Sequence, residues 1–336
     1  MSQGMGQGPD PTALIELSVA NWGAQVLFTA NRLGLFEICA NGPLDVAGIA
    51  LALHLKERPT GLFLNACTSL GLLEKTADGY VNSQLANIFL NQQGPGYMGN
   101  AIRYSDNLYD SWGQLEHALR TDEPVMPPEV YLGEDRDKTR DFVYGMHDRA
   151  TGTARALVHL VDLGDRTRML DIGGGPGTYS ALFAEQYPQL HSTIIDLPGV
   201  AEFGAEIVAK MGYADRIDIQ PGSYLELDWP GGMDIVLISG VFHRESEQTC
   251  RELIERSKAA LVDGGLLIVS DVFTDADHTS PTLATLFGLT MMLSAPDGGI
   301  HADASVKDWM TEAGFGGAAV RPFPPPMPHR VITASK

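Results

Sequence analysis

Three groups of residues in this chain have the types and spacing to do chemistry. The first is the stretch "LDIGGGPGTYS" (170–180), where Asp171 ends an apolar run and four glycines fill five positions, 173, 174, 175 and 177. A turn so free of side chains lets the backbone approach a ligand closely. The second is Asp196, 25 residues beyond Asp171, which ends the apolar "STIID". A carboxylate there can accept both hydroxyls of a ribose. It can equally cap the helix that "DLPG" opens. The third is His243 in "LISGVFHRESEQ" with Asp271 at the end of "LLIVSD". An imidazole takes a proton near neutral pH, and a carboxylate behind it fixes its tautomer and stabilises the imidazolium.

The elements that must hold these residues fall into two rhythms. Residues 1–10 are rich in Gly and Gln and are expected to be disordered. From Pro11 to about Phe36 the apolar spacing predicts one helix, "PLDVAGIALALHL" a second and "KERPTGLFLNACTSLGLL" a third. "EKTADGYVNS" then reads as a short hairpin with Ala77, Asp78 and Gly79 at its turn, so that three helices and a hairpin make a winged-helix pattern. Residues 85–160 read as mostly helical, with a break at "EPVMPPEV".

After residue 165 strands and helices alternate. "RMLDIG", "HSTIID", "RIDIQP", "DIVLISG" and "LLIVSD" read as strands, with helices between them. The helix "SEQTCRELIERSKAAL" is expected to close at Asp263, Gly264 and Gly265. Such alternation predicts an α/β fold with a mostly parallel, doubly wound sheet, which binds ligands at the carboxyl ends of its strands. The glycine turn, Asp196, Ser223, the stretch from Ser239 to His243, and Asp271 all fall at those ends.

The turn can be read against known phosphate and nucleotide binders. Its glycines give G-x-G-x-G, and Thr178 stands where a dinucleotide fingerprint needs its last glycine. There is no G-x-x-x-x-G-K-[ST], which excludes a P-loop. An acid, the glycine turn and a second acid after the next strand are the arrangement of an S-adenosylmethionine site.

On "LDIGGGPGTYS", "IIDLPGV", "AALVDGGLLIVSD" and "TEAGF", together with the N-terminal "WGAQVLFTANRLGLFEIC", "LGLLEK" and "YVNS", the chain resembles a class I S-adenosylmethionine-dependent methyltransferase. The type is that of plant caffeate and animal acetylserotonin O-methyltransferases, which includes many bacterial natural-product enzymes. The resemblance covers nearly the whole chain. It implies a Rossmann-like seven-stranded sheet preceded by a mainly helical, winged-helix-like dimerisation domain at residues 1–100. Residues 101–336 would form the catalytic domain, with helices of 101–163 helping to line the acceptor pocket. It implies a homodimer, a small-molecule acceptor methylated on a hydroxyl, and S-adenosylhomocysteine as product. Asp171, Gly173, Gly175, Asp196, Leu197, Ser223, Tyr224 and Ser239 would hold the cofactor.

The family's catalytic histidine maps to His243, but Arg244 and Glu245 follow it in place of the usual Asp-Trp pair. Of the two acids that flank the base in plant members, the first maps to Asp271 and the second to His301. The acid that usually serves the adenine end maps to Ser223, and a lysine of some members to Ser239. Met146, Met291, Met292 and Arg244 are candidate acceptor contacts, although methionine stripes more often serve a core.

Composition narrows the alternatives. With 336 residues and 44% hydrophobic content the chain can bury a large core and hold two domains. Its formal net charge of -19 opposes nucleic acid and anionic membranes. A winged helix raises the possibility of a DNA-binding regulator, yet the candidate recognition helix carries only Lys56 and Arg58 near its start, then an apolar face. Cys39, Cys67 and Cys250 form no CxxC, and the histidines have no HExxH spacing, so neither a disulfide framework nor a metal is expected. The first residues have no basic and apolar leader pattern, and the expected location is the cytoplasm. The loss of the Asp-Trp pair leaves carbon or nitrogen methylation, or a repurposed member of the fold, as alternatives to oxygen.

Overall fold

The computed structural model describes residues 10–126, 128, 130–325 and 327–336. The expectation of a disordered start concerns residues that, apart from Asp10, lie outside this set. The chain divides into two compact units, one ending at Asp106 and the other running from Asn107 to Lys336.

The first unit opens with α1 (Thr12–Leu33) and α2 (Leu35–Cys39). One helix was expected here. Gly34 splits it by taking a left-handed conformation, φ 68°, and its N–H closes on the carbonyls of Ala30 and Asn31. α3 (Val46–Ala52) is capped by Asp45, whose carboxylate accepts from Gly48 N at 2.7 Å. α4 (Glu57–Ser69) leads into the hairpin β1 (Leu73–Thr76) and β2 (Gly79–Asn82), paired Leu73 with Asn82 and Thr76 with Gly79. α5 (Gln84–Phe89) and α6 (Gly99–Asn107) follow. Leu35, Phe36, Ile49, Leu64, Leu73 and Tyr80 are buried together as the core of this unit. On α1, by contrast, Leu14, Ile15, Leu17 and Trp22 are 60–74% exposed.

The second unit begins with short helices α7 (Tyr109–Trp112) and α8 (Leu115–Thr121), a π-helical segment (Val130–Glu134) and the long α9 (Arg136–Leu160). Then come β3 (Arg168–Ile172), α10 (Thr178–Gln186), β4 (His191–Asp196), α11 (Pro198–Lys210), β5 (Ile217–Pro221) and β6 (Met233–Ser239). A single 3-10 turn (Phe242–Arg244) precedes α12 (Glu247–Ala260), β7 (Leu261–Val272), α13 (Thr282–Ser294), α14 (Asp303–Glu312), β8 (Gly316–Pro322) and β9 (His329–Ser335). The expected turn at Asp263, Gly264 and Gly265 is instead a bulge inside β7. Leu261 pairs with Met233 and Leu266 with Ile235, so the intervening residues loop out of the ladder without ending the strand.

The sheet has seven strands in the order β5-β4-β3-β6-β7-β9-β8, parallel except where β9 pairs with β7 and β8. Both faces are covered. Leu170, Val236, Val269 and Phe242 pack toward α12 and α14, whereas Met169, Leu237 and Ile268 pack toward α9 and α10. Two buried faces explain why these strands read as continuous apolar runs. Each fully buried Leu or Ile stabilises the sheet by about 1.5–3 kcal/mol. The chain leaves β3 toward β4 on one side and leaves β6 toward β7 on the other. The crevice between the loops after β3 and β6 is therefore the switch point where such sheets bind ligands.

Candidate active site

The glycine turn follows β3. Gly173, Gly175 and Gly177 have φ of 63°, 53° and 71°, a region that side chains disfavour. Space is equally short: a Cβ on Gly173 would stand 2.6 Å from Val241 Cγ2, and one on Gly177 2.5 Å from Val208 Cγ2. The turn ends at the N-terminus of α10 and presents backbone to the crevice.

Two acids support it differently. Asp171 was expected to touch the cofactor. It is 1% exposed beneath the turn and accepts from Ser180 Oγ at 2.7 Å. It lies directly under Gly174, where an added Cβ would stand 2.8 Å from its Cγ, and so braces the turn. Burial pushes its pKa up to about 7, against the lowering effect of the Ser180 hydrogen bond. Asp196 accepts from Gly175 N and Leu197 N, both at 2.7 Å, which ties the ends of β3 and β4 together. Burial raises its pKa to about 6, with those backbone N–H groups and Arg244 acting in the opposite direction. A carboxylate has lone pairs for further donors beyond these two. Leu197 contributes its N–H to this arrangement and packs beside Val200 and Phe203.

On the next loop outward, the Ser223 hydroxyl accepts from Leu225 N at 3.2 Å. The Tyr224 ring lies against Gly173, with Cε1 3.6 Å from where a Cβ on that glycine would be. Its phenol donates to Glu245 Oε1 at 2.5 Å, and burial together with that carboxylate raises its pKa. Arg256 and Trp229 grip the carbonyl of Tyr224 at 2.7 and 2.9 Å, fixing this loop. Ser239 hydrogen-bonds the phenol oxygen of Tyr179, whose own proton goes to Thr153 at 3.1 Å. It belongs to a chain of hydroxyls between the sheet and α9.

The loop after β6 carries His243. Its Nδ1 is 2.7 Å from Asp271 Oδ1, and its backbone N–H donates to Asp271 Oδ2 at 3.3 Å. With Nδ1–H donating to the carboxylate, the lone pair stands on Nε2. Phe287 of α13 meets the imidazole edge-on, centroids 4.9 Å apart, and Gly299 N donates to the His243 carbonyl at 3.0 Å. Burial alone would raise the Asp271 pKa. The His243 imidazole, its hydrogen bond and Val272 N–H outweigh burial and hold it below the usual value.

His301 turns its Nε2 toward the backbone of the loop after β6. Its Nε2 is 3.0 Å from the carbonyls of Phe242 and Glu245, and its ring meets Trp309 edge-on at 5.2 Å. The imidazole thus staples the two ends of the turn that presents His243. Arg244, expected at the acceptor, is near enough to Asp196 and Tyr224 for its charge to act on both. Met291 is buried in α13, whereas Met292 and Met146 (on α9) are half-buried.

Four residues at the site escaped the sequence reading. Phe287 sits in an apolar helix read for its methionines, and Tyr179 is an ordinary helix residue. His147, whose Nδ1 is 2.7 Å from Thr178 Oγ1 at the start of α10, has no ligand spacing. Its pKa is lowered by burial, so it is neutral near pH 7. Glu245 had one signal, an acid two places after the histidine at a strand's carboxyl end. Among the described residues, no group of three or more His, Cys, Asp or Glu is arranged to hold a metal, and no helix is long and apolar enough to cross a membrane.

A left-handed glycine turn, a buried acid at the end of the neighbouring strand, and an imidazole across the switch point fit a nucleoside with a reactive group at its far end. These features, on this sheet order, define an S-adenosylmethionine-dependent methyltransferase. The family profile described as an O-methyltransferase domain matches residues 126–316, and one described as an O-methyltransferase dimerisation domain matches residues 15–92. The chain belongs to this O-methyltransferase family. It is 32% identical to 3-hydroxy-5-methyl-1-naphthoate 3-O-methyltransferase of Streptomyces sahachiroi, over 100% of both chains. It is 29% identical to the N,N-dimethyltransferase OxyT of Streptomyces rimosus, over 92% of this chain and 91% of that one. Human N-acetylserotonin methyltransferase, solved in complex with S-adenosylmethionine, superposes with a TM-score of 0.89 at 25% identity, covering 99% of each chain. The protein is thus an S-adenosylmethionine-dependent O-methyltransferase of the natural-product type.

Proposed function

We propose that this enzyme methylates a hydroxyl of a small aromatic acceptor, with His243 as general base. The observation that carries the reading is the 2.7 Å contact between His243 Nδ1 and Asp271 Oδ1 at the switch point. S-adenosylmethionine, when bound, supplies an electrophilic methyl on a sulfonium. Asp171, Gly173 and Gly175 shape the backbone cradle for it, Asp196 takes the ribose hydroxyls, and Tyr224 borders the base. His243 Nε2 accepts the acceptor's hydroxyl proton, and Asp271 stabilises the imidazolium that results. The oxygen left behind is the nucleophile, and holding it in line supplies much of the rate. Phe287 orients the imidazole. Met146 and Met292 border the acceptor, and helices within residues 101–163 contribute to its enclosure. We assign His301 to positioning the His243 turn. Residues 1–100 are assigned to dimerisation.

The relative named as an N,N-dimethyltransferase favours one second reading, an amine acceptor. A panel of phenols, naphthols and aromatic amines, incubated with methyl-labelled S-adenosylmethionine and resolved by mass spectrometry, separates the two. Methylation confined to amines, or unchanged when His243 is replaced by Ala, overturns the first reading.

A further inference from the structure

The cofactor site of this chain has a carboxylate that no role above uses. Glu245 follows the His243 turn, half-buried, and its Oε1 is held by the Tyr224 phenol at 2.5 Å. A carboxylate carries about four acceptor positions, so this bond leaves it able to take a further donor. Tyr224 in turn lies against Gly173, and Asp196 is near enough to act on it electrostatically. A nucleoside whose ribose sits on Asp196 and whose backbone contacts come from the glycine turn therefore brings its flat base against Tyr224. The loop after β5 carries Tyr224 and, next to it, Ser223, whose hydroxyl already accepts from Leu225 N.

We propose that Glu245 recognises the adenine of S-adenosylmethionine, its carboxylate accepting from the exocyclic 6-amino group while Tyr224 holds it in place. The acid at the base end thus enters from the loop after β6. The backbone makes this possible. His301 Nε2 ties the Phe242 and Glu245 carbonyls together at 3.0 Å each, and Ser246 caps α12 by accepting from Thr249 N at 3.2 Å. Glu245 is thereby fixed between a stapled turn and a capped helix. The assignment rests on the cofactor occupying the glycine turn and is independent of the acceptor's identity.

The test compares S-adenosylhomocysteine with its analogue lacking the 6-amino group, by calorimetry on the full-length protein. The wild type is expected to bind the amino form about 10- to 150-fold tighter, the range for a hydrogen bond to a charged group. In Glu245→Ala the ratio should fall to about one, because both ligands then lack the same contact. Glu245→Met keeps the side-chain volume and should behave alike if the smaller variant is unstable. Ser223→Asp added to Glu245→Ala should restore part of the preference from the loop after β5, and its carboxylate can keep the Leu225 N–H. A wild-type preference that survives both Glu245 substitutions overturns the proposal. Equal binding of the two ligands by the wild type also overturns it, while leaving the methyltransferase reading intact. No binding of S-adenosylhomocysteine at all overturns the cofactor site itself.

Discussion

Replacing Asp271 with Asn keeps the shape of the side chain while removing its charge, which makes it the sharpest probe of the His243 role. In the wild type the carboxylate accepts from Nδ1 at 2.7 Å and is 2% exposed, so little water screens it. When His243 takes a proton, the charge centres of the ion pair stand about 4 Å apart, and at an effective dielectric of about 20 their attraction is worth about 4 kcal/mol. That is close to a 10³-fold effect on rate, at about 1.4 kcal/mol for each factor of ten. An amide offers at most a neutral contact, and its NH₂ can donate to Nδ1. That would move the ring proton to Nε2 and abolish the base. The expected outcome is a fall in kcat/KM of roughly 10²–10⁴-fold at neutral pH, with binding of S-adenosylhomocysteine unchanged. Initial rates with methyl-labelled S-adenosylmethionine on the identified acceptor measure the first, and calorimetry the second. An Asp271→Asn enzyme that retains the wild-type rate to within about fivefold, with the cofactor still bound, would refute the reasoning.

The other expectations concern separate parts of the molecule. His243→Ala should cost about 10²–10⁴-fold in turnover at pH 7 and less at high pH, where a phenol with a pKa near 10 ionises unaided; a pH–rate profile measures it. His301→Asn, whose amide can still donate to the Phe242 and Glu245 carbonyls, should retain more activity than His301→Ala, and equal losses would return His301 to the chemistry. Asp196→Ala should weaken binding of S-adenosylhomocysteine by roughly 1–3 kcal/mol. In the wild type that affinity should decline as pH falls through about 6, because burial raises the Asp196 pKa and protonation then removes the charged acceptor. For Asp171, folded pKa about 7 exceeds the unfolded value, so its ionisation destabilises the fold as pH rises from about 4 to 7. The melting temperature of Asp171→Asn should accordingly gain on the wild type across that window and hold its lead above it. Trp22→Asp, on the exposed apolar stripe of α1, should shift a dimer toward monomer in light scattering.

What the sequence determined by itself was the local and the repetitive. Apolar runs buried on both faces announced the parallel strands, and the carboxyl end of each could be read from where its run stopped. Gly173, Gly175 and Gly177 were legible because a left-handed backbone, joined at Gly173 and Gly177 by the absence of room for a Cβ, favours one residue type. Asp196, His243 and Asp271 followed because each closes or follows such a run. The helix boundary at Gly34 and the bulge at residues 263–265 were not legible, since a glycine can end an element or bend it and only its neighbours decide which. Only the tertiary structure separated residues of one type into different roles. Asp171 and Asp196 look alike in sequence, yet one is sealed beneath the turn and the other stands at the end of the neighbouring strand. His243 and His301 are both imidazoles near the same loop, yet one directs its Nδ1 to Asp271 while the other donates to backbone carbonyls. Glu245 acquired a partner only through Tyr224, 21 residues away. The physical reason is common to all of these. Periodicity reports which side of an element is buried, but the partner of a polar group is chosen by contacts between distant segments, which become neighbours only when the sheet is assembled.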